Sequence, residues 1–209
     1  MTLLPRRDVL LAGLGLLAAR PTLAQQIDPA RATGFIKVTG EELVAAINGG
    51  IGSVADRRAR VAAILRRSVD VEGVGRFILG RWWRTASAEQ QAEYLKLFEE
   101  VLIRNLSARF GEYQGVRFTL GRSQARTEED VLVSTLVERP GSPGFGLDWR
   151  VAEVGSQPKI VDVIAEGTSL RLTTRSEYSS VITRGGSNVA ALLTAMRQQI
   201  AQLVSREGG

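Results

Sequence analysis

The spacing of apolar residues predicts helices in the first half of the chain. Residues 41–48 form a short helical stretch that two glycines can end, and Ser53 can cap a second helix running to about Ser68. The segment VEGVGRFILGRWWR, residues 71–84, predicts a short helix or turn punctuated by glycines. Residues 87–90 (SAEQ) fit a capping box, and the apolar stripe after them predicts the best-defined helix, to about residue 110.

Alternating apolar and polar positions predict four strands in the second half. The strands cover residues 116–120, 130–138, 147–154 and 159–166. Between them lie a polar turn at residues 127–129, the loop RPGSPGFG (139–146) and the turn GSQP (155–158). Strands joined by such turns are expected to pair antiparallel.

The alternation in the last two strands also predicts how they pair. A slip of one residue would invert the faces, so the two apolar sets must lie opposite one another. This register sets Trp149 against Val163 and Arg150 against Asp162, the latter as a cross-strand ion pair. The first face then holds Leu147, Trp149, Val151, Val161, Val163 and Ala165, and the second face holds Ala152, Val154, Ile160 and Ile164.

A glycine after the last strand marks a change from strand to helix. Beyond Gly167 the apolar residues recur at helical spacing until Gly185 and Gly186, with two arginines in the first turns. Ser187 can cap a final amphipathic helix. The predicted fold is therefore α+β: an antiparallel sheet of about four strands with helices before and after it, enclosing an apolar cavity.

The N-terminal residues fit an export signal. Arg6 and Arg7 precede an apolar run of about eleven residues, too short to span a bilayer comfortably. Small residues at Thr22 and Ala24 predict cleavage after Ala24, and the paired arginines allow either the twin-arginine or the general route. We expect a signal peptide at 1–24 and a single domain at 25–209 in the periplasm.

Composition limits the chemistry that this domain can perform. The formal charge is +5, and segment 1–24 holds three arginines and one aspartate, so the remaining chain carries +3. That bias is too mild to predict nucleic-acid binding. The chain has no cysteine and no histidine, which removes disulfides, the usual general base and the commonest metal ligand. We expect no metal and no cofactor.

Catalysis has one candidate pair in the sequence. Asp162 and Tyr178 could perform acid–base work in an apolar pocket. Arg150, the expected partner of Asp162, would lower the pKa of that carboxyl instead of raising it. The GGIGS segment follows a helix and not a strand, so it does not fit a dinucleotide site. We therefore expect no enzyme.

The order of these segments resembles a known family. GRWW, SAEQQAEYLKLFEEVL, DWRV and VDVIAEGTSL followed by RSEY resemble, in this order, the MlaC or toluene-tolerance family of periplasmic lipid-binding proteins. The resemblance implies a carrier that holds phospholipid tails and passes lipid between an outer-membrane lipoprotein assembly and an inner-membrane ABC transporter with its lipid-binding subunit. VITRGGSNVAALLTAMR resembles the branch associated with hopanoid lipids, so both lipid classes stay open, as does a non-catalytic adaptor with a packed core.

The residues expected to contact lipid are the large apolar and aromatic side chains of these segments. They are Phe77, Trp82, Trp83, Phe98, Leu102, Val133, Trp149, Val151, Val163, Tyr178 and Val181. Each of them can equally be an ordinary core residue. The cations expected to meet a head group or a partner are Arg81, Arg84, Arg171 and Arg175, although arginines on a helix face are commonly only solvated.

Overall fold

The computed structural model of the protein describes residues 27–49, 53–107 and 114–207. The predicted signal peptide lies outside these ranges. Within them are six α-helices, a 3₁₀ turn and five strands. The helices are α1 (Pro29–Asn48), α2 (Val54–Ser68), α3 (Val71–Leu79), α4 (Ala88–Ser107), α5 (Leu170–Arg184) and α6 (Val189–Glu207), and the 3₁₀ turn is Gly80–Arg84. The strands are β1 (Arg117–Ala125), β2 (Asp130–Arg139), β3 (Ser142–Val154), β4 (Gln157–Ala165) and β5 (Thr168–Ser169).

The first helix is much longer than the predicted stretch 41–48. It starts at Asp28, whose Oδ1 accepts a hydrogen bond from the Ala30 amide at 3.1 Å, and Pro29 occupies the first turn. Aspartate at the N-cap followed by proline is a strong start signal, because proline lacks the amide that would be unpaired there. Gly34 and Gly40 interrupt the apolar stripe, which is why periodicity alone found only the last turns.

The caps of α2 and α4 confirm the predicted helix starts. Ser53 Oγ accepts from the Asp56 amide at 3.1 Å, and the Ser53 amide donates to Asp56 Oδ2 at 2.8 Å. Ser87 and Gln90 make the same reciprocal pair, at 3.2 and 3.0 Å. Each pair satisfies two amides that a helix start leaves without an intrahelical acceptor.

The strands form one antiparallel sheet in the order β1-β2-β3-β4-β5. Four of them lie where strands were predicted, although β1 runs on to Ala125 instead of ending near residue 120, and β5 adds a strand of two residues. The predicted loop 139–146 was wrong: β3 already begins at Ser142, and the hairpin turns tightly at Gly141, whose φ is +72°. Glycine tolerates that left-handed conformation at no steric cost.

The predicted pairing of β3 with β4 is confirmed over half its length. Trp149 lies opposite Val163, and Arg150 lies opposite Asp162. Beyond Arg150 the register shifts, so that Ile160 and not Val161 lies opposite Val151. The placement of Ile160 on the second face was therefore wrong, since Ile160 packs with Val151 in one buried cluster. A bulge of one residue changes the pairing without breaking the alternation of residue types that the prediction used.

The C-terminal helices lie as predicted, with one corrected cap. Helix α5 begins at Leu170, directly after β5, and ends at Gly185. The start of α6 is capped by Asn188, whose Oδ1 accepts from the Ala190 amide at 2.9 Å. Ser187, the predicted cap, instead has a φ of +59° in the connecting turn.

Three buried apolar clusters hold these elements together. One joins α1, α2 and α4 to one end of the sheet, and another packs α3 to α6 around Tyr94. The third packs the start of α1 on β2, β3 and β4. None of the helices in the described ranges is long and apolar enough to cross a membrane.

Candidate functional site

An apolar cavity separates α1 from the face of the sheet that carries Trp149. Its first lobe has a volume of about 450 Å³. The wall from the helices is made by Ile36, Thr39, Gly40, Leu43, Val44, Ile47, Leu106 and Leu170. The wall from the sheet and the residue before it is made by Val116, Phe118, Thr135, Val137, Phe145, Leu147, Trp149, Val163 and Ala165.

A second lobe of about 480 Å³ extends from the first toward α2, α3 and α4. The two lobes adjoin, and we name them together the chamber. Six residues line both lobes: Thr39, Leu43, Leu106, Trp149, Val163 and Leu170. The second lobe is also lined by Leu65, Ser68, Val69, Val74, Ile78, Phe98, Leu102, Asn105, Ile160, Val161, Asp162, Arg171 and Thr174. Its polar lining includes Asp162 of β4 and Arg171 and Thr174, which follow Leu170 in α5.

The polar atoms of Trp149 and Thr135 are paired with each other and with the sheet. Trp149 Nε1 donates to Thr135 Oγ1 at 2.9 Å, and Thr135 Oγ1 donates to the Leu147 carbonyl oxygen at 3.2 Å. A buried indole N–H without an acceptor would favour water in the chamber. With these bonds made, this part of the first lobe presents mainly hydrocarbon and aromatic surface to its contents.

Four predicted lipid-contact residues lie in the wall of the chamber. Phe98 and Leu102 come from α4 and line the second lobe, whereas Trp149 and Val163 line both lobes. Val133 and Val151 lie on the same face of the sheet but are fully buried in the cluster under the start of α1. Their contact with lipid stays a prediction.

The remaining five predicted lipid-contact residues pack in the helical cluster around Tyr94. These residues are Phe77, Trp82, Trp83, Tyr178 and Val181. Tyr94 donates its hydroxyl to the Gly75 carbonyl oxygen at 3.0 Å and meets the ring of Tyr178 edge-on, with centroids 6.4 Å apart. Within the described chain the structure does not bring these five side chains to the lining of either lobe.

The four predicted cations divide between the chamber and the helix surface. Arg171 lines the second lobe, and its guanidinium carbon lies 4.2 Å from the centre of the Phe77 ring. Burial lowers the pKa of Arg171, and nearby Arg150 acts in the same direction, while Asp162 opposes both. Arg175 donates to the Phe77 carbonyl oxygen at 3.2 Å, near the end of α3. Arg81 stacks on Trp82, and Arg84 is exposed.

The candidate catalytic pair is held in two different environments. Asp162 lies within 3.4 Å of Arg171 Nε and 4.0 Å of Arg150 Nη1, and Arg150 is hydrogen-bonded more closely to Asp130. Tyr178 packs against Tyr94, and burial raises its pKa to about 12. The pair therefore consists of an aspartate that faces two arginines and a tyrosine that keeps its proton at neutral pH.

Several residues that line the chamber were not among the predicted lipid contacts. Leu43 and Leu106 lie in segments that were predicted only as helices, and Leu170 lies in the segment after Gly167 that was predicted only to change from strand to helix. Phe118 was assigned to a strand, but its ring lies against Gly40, where a Cβ would be 2.5 Å from Phe118 Cζ. A glycine inside a helix that faces an aromatic strand residue is a signal of close approach, although the sequence does not say which strand it meets.

The fold and the chamber define an α+β protein whose helices and antiparallel sheet enclose apolar space. The chain belongs to the MlaC family: the MlaC protein family matches residues 38–198, which confirms the resemblance seen in the sequence. The chain is 21% identical over 139 residues to the intermembrane phospholipid transport system binding protein MlaC of Haemophilus influenzae, and the match spans 64% of each chain.

A solved structure shares the architecture. The fold is similar, with a TM-score of 0.74 and 24% identity, to the phospholipid-binding protein of Ralstonia solanacearum, which was solved in complex with a phospholipid. The similarity covers 83% of this chain and 98% of that one. It establishes that the α+β arrangement described above is that of a known fold.

Proposed function

We propose that the protein is a periplasmic lipid carrier that holds acyl chains in the two lobes of its chamber. The observation that carries this proposal is the branched apolar space between α1 and the sheet, whose lobes meet at Trp149 and Val163. Membership of the MlaC family and the names of the two similar proteins support the same function.

The volume of the lobes favours a lipid with two chains. A methylene takes about 30 Å³, similar to the share of a water molecule in the liquid. Lobes of 450 and 480 Å³ then hold roughly 15 methylenes each, about one palmitoyl chain per lobe. Two lobes that diverge from a shared wall suit two flexible chains better than one rigid fused-ring body, so we favour a phospholipid over a hopanoid-type lipid.

The energetics explain why such a carrier holds its cargo in water and needs a partner to release it. Burying about 15 methylenes at ~0.8 kcal/mol each contributes on the order of 12 kcal/mol per chain. Release into water loses that energy, whereas transfer to another apolar site keeps it. We therefore propose that loading and release occur at an outer-membrane lipoprotein assembly and at an inner-membrane ABC transporter with its lipid-binding subunit.

This function requires binding and release but no bond chemistry. The head group belongs, in this proposal, near the Leu170 end of the second lobe, where Arg171 and Thr174 of the first turns of α5 supply polar atoms. An arginine can pair with a phosphate there through its parallel N–H groups. We accordingly propose a non-enzymatic role.

A binding experiment with defined lipids tests the proposal. Delipidated protein is mixed with dipalmitoyl phosphatidylglycerol, its single-chain lyso form or a hopanoid, and the bound lipid is measured after gel filtration. We expect one dipalmitoyl lipid per protein and weaker retention of the lyso form. If the protein retains the hopanoid better than the phospholipid, the proposed ligand is a hopanoid-type lipid and not a phospholipid. Refusal of all three would contradict the carrier function and favour an adaptor with a packed core.

A further inference from the structure

The chamber opens to solvent at Leu170. This side chain lines both lobes, yet it is 48% exposed. It lies in the first turn of α5, directly after β5, and Leu172 nearby is 56% exposed. Because Leu170 borders the apolar interior and is half exposed, it marks an edge of the chamber wall, and we name residues 169–172 the mouth segment.

One buried carboxylate holds the residues on both sides of Leu170. Asp162 Oδ2 accepts a hydrogen bond from Ser169 Oγ at 2.6 Å, and Asp162 Oδ1 accepts from the Arg171 amide at 3.2 Å. The Arg171 side chain adds an ion pair, with Nε 3.4 Å from Oδ2. The Asp162 side chain is only 2% exposed, so water competes little for these bonds.

The same serine starts the helix that carries the mouth segment. Ser169 Oγ accepts from the Leu172 amide at 3.2 Å while it donates to Asp162. A hydroxyl has one donor and two acceptor sites, so both bonds can exist together. Hydrogen bonds therefore connect Asp162 of β4 to Ser169 and Ser169 to the first turn of α5. Movement of that turn away from β4 requires these bonds to break.

Asp162 is itself fixed by the sheet. It lies opposite Arg150 in the β3–β4 pairing, and Arg150 Nε donates to Asp130 Oδ2 at 3.1 Å. Both aspartates are buried, at 3% exposure for Asp130 and 6% for Asp162. Only Asp162, however, is bonded to Ser169 and to the Arg171 amide. Asp130 thus provides a matched carboxylate in the same charge cluster.

We propose that Asp162 is a positioning residue that keeps the mouth segment closed over the bound lipid and so sets the rate of lipid exchange. This inference rests on the proposed carrier function. Entry and exit of an acyl chain past Leu170 require the mouth segment to leave β4, which breaks the bonds from Ser169 and Arg171. Removing the charge weakens all of them, because hydrogen bonds to an ionised acceptor are the stronger kind.

Lipid-loaded full-length protein tests the proposal by transfer of a fluorescent dipalmitoyl phospholipid to phosphatidylcholine vesicles. We expect Asp162→Asn to transfer lipid roughly 10-fold faster than the wild type, since one weakened charged hydrogen bond is worth about that factor. Asp130→Asn should speed transfer less than Asp162→Asn, because Asp130 makes no bond to Ser169 or to the Arg171 amide in the described chain. Lipid occupancy before transfer should be similar in all three, which separates a faster mouth from a damaged chamber.

A second readout and a second variant complete the test. Amide hydrogen exchange at residues 171 and 172 should speed up in Asp162→Asn and not in Asp130→Asn. Ser169→Ala should also speed transfer, so the test stands even if Asp162→Asn folds poorly. Equal rates for Asp162→Asn, Asp130→Asn and the wild type would overturn the positioning role alone. A wild-type protein that binds no lipid would instead overturn the carrier function and this role with it.

Discussion

The ring of Phe118 lies directly against the backbone of α1 at Gly40. A Cβ on Gly40 would be 2.5 Å from Cζ and 2.8 Å from the two neighbouring carbons of the ring. Both residues line the first lobe, so helix and sheet approach closely at this point of the chamber wall. Because Gly40 has no side chain, the Phe118 ring can occupy this position, and Gly40 thereby helps to set the shape of the lobe.

Gly40→Ala should therefore reduce lipid retention by moving Phe118. The added methyl group forces the ring to shift, and overpacking of this kind costs about 1–3 kcal/mol. The gain in helix propensity of about 1 kcal/mol offsets only part of that cost. We expect a net loss of up to about 2 kcal/mol in the free energy of unfolding and less bound lipid per protein, measured by urea unfolding and by lipid extraction.

Gly34→Ala is the matched control in the same helix. A Cβ at Gly34 meets nothing within 4 Å, and the residue is exposed. We expect this variant to be about 0.5–1 kcal/mol more stable than the wild type with unchanged lipid content. Equal behaviour of the two alanine variants would mean that Phe118 yields freely and does not shape the lobe.

Filling the junction of the lobes should exclude lipid without unfolding the protein. Val163 lies opposite Trp149 and lines both lobes, so the larger side chain of Val163→Trp would project into the shared space. We expect retained lipid to fall several-fold while circular dichroism and gel filtration match the wild type. Leu136→Trp serves as the control, because Leu136 is 46% exposed and lies outside the lining of both lobes in the described chain.

The sequence predicted those features that depend on local chemistry. The cap at Ser53, the capping box at Ser87 and the turn at Gly167 require particular residue types at fixed spacing, and all three are present. The pairing of Trp149 with Val163 followed from alternation and a short turn. These features are local, so a single sequence is enough to find them.

The chamber could be predicted in kind but not in detail. Phe98 and Val133 look alike in the sequence as apolar residues of amphipathic elements, yet the first lines a lobe and the second is packed under α1. Whether such a residue lines the cavity or is packed depends on the distance between α1 and the sheet. Long-range contacts such as Gly40 with Phe118 set that distance. The bulge that buries Ile160 is likewise invisible to a pattern of residue types.

Arg175 should contribute to folding by joining α5 to the end of α3. Its guanidinium donates to the Phe77 carbonyl oxygen and lies 4.9 Å from the centre of the Phe77 ring. It also occupies the space beside Gly80, where a Cβ would be 3.0 Å from Arg175 Cζ. We expect Arg175→Ala to lower the free energy of unfolding by about 1–2 kcal/mol in urea titrations. Arg184→Ala, an exposed arginine of the same helix, should change it by less than about 0.5 kcal/mol; equal losses would contradict the joining role.

Stability should fall at alkaline pH because two tyrosines are buried with their protons. Burial raises the pKa of Tyr178 to about 12 and also raises the pKa of Tyr94. An unfolded tyrosine titrates near pH 10, so above that pH the unfolded chain loses protons that the folded protein keeps. Each tyrosine then lowers the free energy of unfolding by up to about 1.4 kcal/mol per pH unit, for Tyr178 until about pH 12.

Urea titrations from about pH 8 to pH 11.5 measure this dependence. The free energy of unfolding should not depend on these two tyrosines below about pH 9 and should decrease above about pH 10. Tyr178→Phe and Tyr94→Phe should each make the descent shallower, and Tyr94→Phe should also lose the bond to the Gly75 carbonyl. If the free energy of unfolding decreases with pH equally steeply in the wild type and in both variants, groups other than these tyrosines cause the alkaline loss of stability.

Native mass spectrometry of the protein, expressed in a Gram-negative host and purified without detergent, measures directly whether the chamber carries lipid. We expect a population heavier than the polypeptide by the mass of one diacyl phospholipid, at a stoichiometry at or below one per protein. Val163→Trp should show that population strongly reduced. A folded wild-type protein at the bare polypeptide mass, which also takes up no added phospholipid, would contradict the carrier function.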